Sequence, residues 1–210
     1  SAGGMRLQSR GTVLLLIDLQ EAFCGASGSM AQQGRDITAM RAALQAARRL
    51  ADGVRAFGIP VAWTRRMFQP DYSDGGLLVR DLRPNLKAIG ALQRGSADVE
   101  LAAGCGFRDG DTLIDKNRYS AFPGTTLERW LAQCGAERVL VGGATTSMCV
   151  DTTVRELSQR DFATFVVREA CGDFDAGRHE AALAAMAFGF ARVIGLDEAL
   201  AALASGGRDF

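Results

Sequence analysis

Six short apolar runs alternate along this chain with longer stretches of helical period, and that alternation constrains the fold more than any other feature. The runs at 12–18, 59–65, 111–115, 138–142, 162–168 and 191–195 have strand length, and most are apolar throughout, as strands buried on both faces are. Between them, Ala and Leu recur at helical spacing over 36–57, 124–134, 147–160, 177–189 and 196–204, with Gly58 and Gly135 where helix stops are expected. The predicted class is α/β: three αβα layers around a mainly parallel, six-stranded, Rossmann-like sheet. Residues 66–110 break the pattern with Pro70, Gly75, Gly76, Pro84 and several arginines. They are expected to form a long flank or lid beside a site, carrying one short helix.

A length of 210 residues suits one domain, expected over 5–210, with residues 1–4 ahead of Met5 reading as an expression scar. The 24 basic and 24 acidic residues cancel, which leaves no field for nucleic acid. The longest apolar runs, such as VLLLI at 13–17, fall well short of the ~20 residues of a membrane span, so a soluble, cytoplasmic protein without a membrane partner is expected. Five cysteines, Cys24, Cys105, Cys134, Cys149 and Cys171, form an odd set without CxxC spacing, which argues against a disulfide framework and a zinc ribbon. A single histidine, His179, excludes a histidine-rich metal cage, and neither metal nor other cofactor is expected. His179 falls at the start of a helix, DAGRHEAALAAM, and is assigned no role.

In open parallel sheets ligands bind beyond the carboxyl ends of the strands, so polar residues that terminate apolar strands come first. VLLLI runs into Asp18, TLID runs into Lys116, and VLVGG runs into a small-residue turn, ATTSM, that delivers Cys149. Each has an ordinary alternative: a cap, a solvated tip, or a small packed hydrophobe. Together they bring an acid, a base and a thiol to one edge. Only thiolate is a strong nucleophile, and the first turn of the 147–160 helix together with the Lys116 ammonium is expected to lower the pKa of Cys149. Asp18 is the candidate proton carrier. The turn from Gly142 to Thr146 lets backbone N–H groups approach a reacting carbonyl oxygen.

Three ordered segments carry a resemblance: LLLIDLQEAFC at 14–24, DKNRYSAFPGTTLERWL at 115–131 and VGGATTSMCVDTTVRE at 141–156. In these the chain resembles the isochorismatase-like cysteine hydrolases over nearly its whole length. The resemblance implies a triad of Asp18, Lys116 and Cys149, a cis Ala144–Thr145 peptide, and an oxyanion hole made by the N–H groups of Thr145 and Cys149. It also implies pocket positions at Gln20, Phe23, Tyr119 and Phe122, and a homo-oligomer, dimeric or tetrameric.

The departures matter as much. The metal-binding members carry an Asp-x-His segment after the second strand, where this chain reads WTRRMFQPDYSD, so no catalytic metal is expected. The vinyl-ether-cleaving members lack the cysteine present here at 149. What remains is similar to the metal-free amidohydrolases of carbamoyl and ureido compounds, which implies a small amide or ureido substrate and ammonia release. Arg65, Arg66, Arg80 and Arg83 are candidates for a substrate carboxylate, with Arg65, at a strand end, placed first. The competing reading keeps the fold and drops the reaction: a metabolite-binding protein or redox sensor in which Cys24 resolves an oxidised Cys149.

Overall fold

The computed structural model describes residues 4–210, so Ser1 to Gly3 of the supposed scar lie outside the described residues. Strands β1 (Thr12–Ile17), β2 (Val61–Arg66), β3 (Thr112–Lys116), β4 (Arg138–Ala144), β5 (Ala163–Gly172) and β6 (Arg192–Ile194) form one sheet in the order β3-β2-β1-β4-β5-β6. Every neighbouring pair is parallel. Five longer helices, α1 (Thr38–Arg55), α2 (Leu127–Gln133), α3 (Asp151–Gln159), α4 (Ala176–Gly189) and α5 (Leu196–Ala204), cover the two faces. Strand order reverses between β1 and β4, which opens a crevice beyond their carboxyl ends.

Side-chain alternation in β1 divides the core. Leu14 and Leu16 pack with Trp63, Leu140 and Phe165 against Leu50 and Val54 of α1 and Leu203 of α5. Val13, Leu15 and Ile17 pack with Val139 and Val141 against Leu131 of α2, Leu157 of α3 and Met186 of α4. Both sheet faces are therefore buried, which is why the strands read as continuous apolar runs. Gly58 and Gly135 end their helices at φ of +71° and +62°, the left-handed conformation that glycine adopts without strain. At Gly143, φ is +135° and a Cβ would run into the backbone of Ile17, so only glycine lets β4 lie this close to the end of β1.

Three expectations are revised. The 147–160 helix does not run straight: a π-helical turn over Thr146–Val150 precedes α3, with the Val150 N–H donating to the Thr145 carbonyl at 3.2 Å. Such wide turns recur at functional sites. Residues 66–110 hold three short helical turns, Leu78–Leu82, Asn85–Ala88 and Ala97–Val99, where one was expected. Pro84, with no N–H to continue the first of these, separates it from the second. A two-stranded antiparallel ribbon of Arg6–Leu7 with Arg208–Asp209, and short helices Glu21–Cys24 and Ser29–Gln32, were not foreseen because none spans enough residues to show a period.

Candidate active site

Asp18 follows β1 directly and sits at φ +52°, in the left-handed region that non-glycine residues rarely use. Thr64 of β2 holds it there. The Asp18 N–H donates to the Thr64 carbonyl at 3.2 Å, and the Thr64 hydroxyl donates to Asp18 Oδ1 at 2.6 Å. Lys116, the last residue of β3, pairs in register with Arg66 of β2 and reaches across that strand's end. Its Nζ stands 2.8 Å from Asp18 Oδ2, with both side chains wholly buried. This is an ion pair without hydrogen-bond geometry, so Oδ2 keeps a lone pair unclaimed. The ammonium instead donates to the carbonyls of Arg118 and Tyr119 at 2.7 and 3.0 Å and to Cys149 Sγ at 3.5 Å.

Cys149 lies within the π-helical turn and is 2% exposed. Burial pushes its thiol up to about 11; Lys116 and Arg66 pull downward, while the charge of Asp18 and a hydrogen bond to it push further up. The sequence-based expectation of a lowered pKa is thus reversed, because desolvation outweighs the nearby cations. At neutral pH the sulfur keeps its proton.

The turn that carries Cys149 is tied down from behind. The Ala144–Thr145 peptide is cis. Ser147 N–H donates to Asp173 Oδ2 at 2.9 Å, which fixes the start of the turn to the residue after β5. Thr146 Oγ1 and His179 Nδ1 are 2.7 Å apart, so His179, assigned no role from the sequence, is half-buried against this turn. Ser120 Oγ hydrogen-bonds Glu156 of α3, and the Ala121 N–H donates to Thr153 Oγ1 at 3.1 Å. The second and third sequence segments thereby latch onto each other.

Cys149 forms part of the wall of a cavity of about 260 Å³. Of the residues expected at a substrate, Phe23, Tyr119, Thr145 and Cys149 line it, and Gln20, Arg65 and Phe122 do not. Gln20 is wholly buried and clamps the Arg66 backbone, accepting from its N–H at 2.8 Å and donating to its carbonyl at 2.9 Å. Arg65 leaves the opposite face of β2 and pairs with Asp115 at 2.9 Å and Glu100 at 3.3 Å. Phe122 packs beneath the Arg160 guanidinium, 4.0 Å away. The arginine in the cavity is Arg66, since neighbouring residues on a strand point to opposite faces. Arg35, Arg83, Arg178, Asp173 and Phe174 also line the cavity and were not assigned to a site, except that Arg83 was among the candidate flank arginines. Arg35 precedes α1, Arg83 follows the Leu78–Leu82 turn, Asp173 and Phe174 link β5 to α4, and Arg178 is on α4, so they share no local pattern.

Cys24, proposed as a resolving thiol, directs its sulfur toward the Met40 carbonyl of α1 at 3.9 Å. It belongs to the core cluster on the other face of the sheet from that of Cys149. Among the described residues, no group of three or more His, Cys, Asp or Glu side chains is arranged to hold a metal ion, and no helix is long and apolar enough to cross a membrane.

A doubly wound sheet with an aspartate, a lysine and a buried cysteine at its switch point defines a class of hydrolase fold, and the sequence comparison agrees. The Isochorismatase domain family matches residues 12–198, and the chain belongs to that family. Ureidoacrylate amidohydrolase RutB of Methylorubrum extorquens is 29% identical over 171 residues, covering 76% of this chain and 68% of the relative. N-carbamoylsarcosine amidase of an Arthrobacter species is 31% identical over 125 residues, covering 60% of this chain and 47% of the relative. Among solved structures, a cysteine hydrolase from Pseudomonas syringae pv. phaseolicola superimposes with a TM-score of 0.87 at 25% identity, covering 95% of each chain.

Proposed function

We propose that this chain is a cysteine amidohydrolase that cleaves a C–N bond in a small amide, carbamoyl or ureido compound and releases ammonia or an amine. The observation that carries this reading is the buried constellation in which Lys116 Nζ contacts both Asp18 Oδ2, at 2.8 Å, and Cys149 Sγ, at 3.5 Å, beside a cavity of small-molecule size. The names of the relatives, an ureidoacrylate amidohydrolase and an N-carbamoylsarcosine amidase, support the bond type.

In this mechanism Asp18 takes the thiol proton as Sγ attacks the substrate carbonyl carbon. The raised pKa of Cys149 means that the nucleophile forms at the moment of attack. The N–H groups of Thr145 and Cys149 bind the tetrahedral oxyanion, and Asp18 passes its proton to the departing nitrogen. The resulting acyl- or carbamoyl-thiol is hydrolysed by water that Asp18 deprotonates. Lys116 keeps the buried site charge-balanced while the proton moves.

The test is ammonia release from a panel of biuret, triuret, ureidoacrylate, N-carbamoyl amino acids, maleamate and nicotinamide, with wild type and Cys149→Ser side by side. Turnover that disappears in the variant supports the nucleophile. Turnover that survives the substitution refutes it.

A further inference from the structure

We propose that the substrate carries a carboxylate and that Arg66 binds it, on the wall of the same cavity that Cys149 lines; this rests on the amidohydrolase reading above. Arg66 is 6% exposed, and among the described residues no carboxylate lies within ion-pair reach of it. Its Nε and Nη2 have no hydrogen-bond partner. The guanidinium lies over the rings of Tyr119 and Phe68, 4.9 and 5.5 Å from their centroids, which fixes its plane without neutralising its charge. Its backbone is gripped on both sides by Gln20. A buried guanidinium without a counter-ion is costly, and such a group persists where a ligand supplies the missing charge.

The surroundings favour an anion as well. Arg35 and Arg83 line the same cavity without a salt bridge, and Arg178 approaches Asp173 only to 3.8 Å. Asp173 is the one acid among the lining residues, and its oxygens already accept from the N–H groups of Ser147, Phe174 and Asp175. A planar guanidinium matches a carboxylate through two parallel hydrogen bonds. With Cys149 and Arg66 sharing a cavity of about 260 Å³, the scissile carbonyl and the carboxylate must belong to one short molecule. Short amic acids and N-carbamoyl amino acids meet that description; neutral ureas and diamides leave Arg66 unpaired.

The experiment reads equilibrium binding by calorimetry on Cys149→Ala protein, which cannot turn the ligands over through this sulfur. Maleamate, succinamate and N-carbamoylglycine are compared with their neutral counterparts, maleamide, succinamide and N-carbamoylglycinamide. We expect at least one acid to bind about 10- to 100-fold more tightly than its neutral match, the range of a hydrogen bond to a charged group. Adding Arg66→Met should erase that preference, Arg66→Lys should keep part of it, and Arg65→Gln, on the opposite face of β2 and outside the cavity, should leave it. Equal binding of acid and neutral partner, no binding by any acid, or a preference that survives Arg66→Met or is lost in Arg65→Gln would overturn the proposal. Ammonia release that persists in Cys149→Ser would instead strike Cys149 as the nucleophile of the reading above and leave this binding result intact.

Discussion

Lys116 and Asp18 face each other at 2.8 Å with no solvent reaching either side chain. Two charges so enclosed are held by one another, and removing one strands its partner in a low-dielectric interior. Lys116→Met is therefore expected to destabilise the fold by about 3–5 kcal/mol and to abolish turnover. Combining it with Asp18→Asn should recover much of the stability and none of the activity. Urea unfolding of the two single variants, the double variant and wild type checks this; additive losses in the double variant would mean that the pair does not interact.

Reactivity of the nucleophile should follow pH in a way set by burial. With its thiol pushed up to about 11, Cys149 in the ligand-free protein is expected to be alkylated by iodoacetamide about tenfold faster per pH unit, without a plateau below about pH 10. Peptide-resolved mass spectrometry separates it from Cys24 and Cys171, both pushed up to about 12 by burial. A plateau near neutrality would show a resting thiolate and contradict the desolvation argument. The same values bear on stability. Folded-state pKa values above the ordinary 9.0 favour the fold fully below about pH 9, and that contribution is lost as pH rises through 11 to 12.

Asp18 and Lys116 were legible because each ends an apolar run at the carboxyl end of a strand, and Cys149 because a small-residue turn follows such a run, three such positions falling at one sheet edge. Their partners were not. Thr64 sits inside an apolar strand and shows no sign in the sequence that its hydroxyl turns to Asp18. Arg65 and Arg66 are adjacent, and a strand's two-residue period sends one to the cavity and the other to Asp115, so a boundary error of one residue reverses the assignment. The reversed pKa of Cys149 belongs to packing density around the sulfur, which no local pattern encodes. Thr153 and Glu156 lie in a recognisable segment, yet their task is to hold Ser120 and Ala121.

Thr64 has a measurable role if its hydroxyl orients the acid. Thr64→Val keeps the side-chain volume and removes the 2.6 Å hydrogen bond to Asp18 Oδ1. A bond to a charged group is worth about 1.5–3 kcal/mol, so kcat/KM should fall by about 10- to 100-fold. Thr64→Ser, which retains the hydroxyl, is expected to keep most of the activity. If valine and serine behave alike, the methyl packing of Thr64 matters and its hydroxyl does not.

The two adjacent arginines of β2 should respond to substitution in opposite ways. Arg65 is partly exposed and paired with Asp115 and Glu100, so Arg65→Ala removes two ion pairs, each worth about 1 kcal/mol or less, and leaves KM unchanged. Arg66 is buried without a counter-ion, and Arg66→Met exchanges an unpaired guanidinium for an apolar chain that can still lie between Tyr119 and Phe68. Its unfolding free energy is expected to stay level or rise, because the desolvation of the charge is relieved. Urea unfolding of both variants decides the matter. A large loss of stability in Arg66→Met would mean that the guanidinium serves the fold, through contacts with its two rings, and would remove the physical ground for assigning it to a ligand.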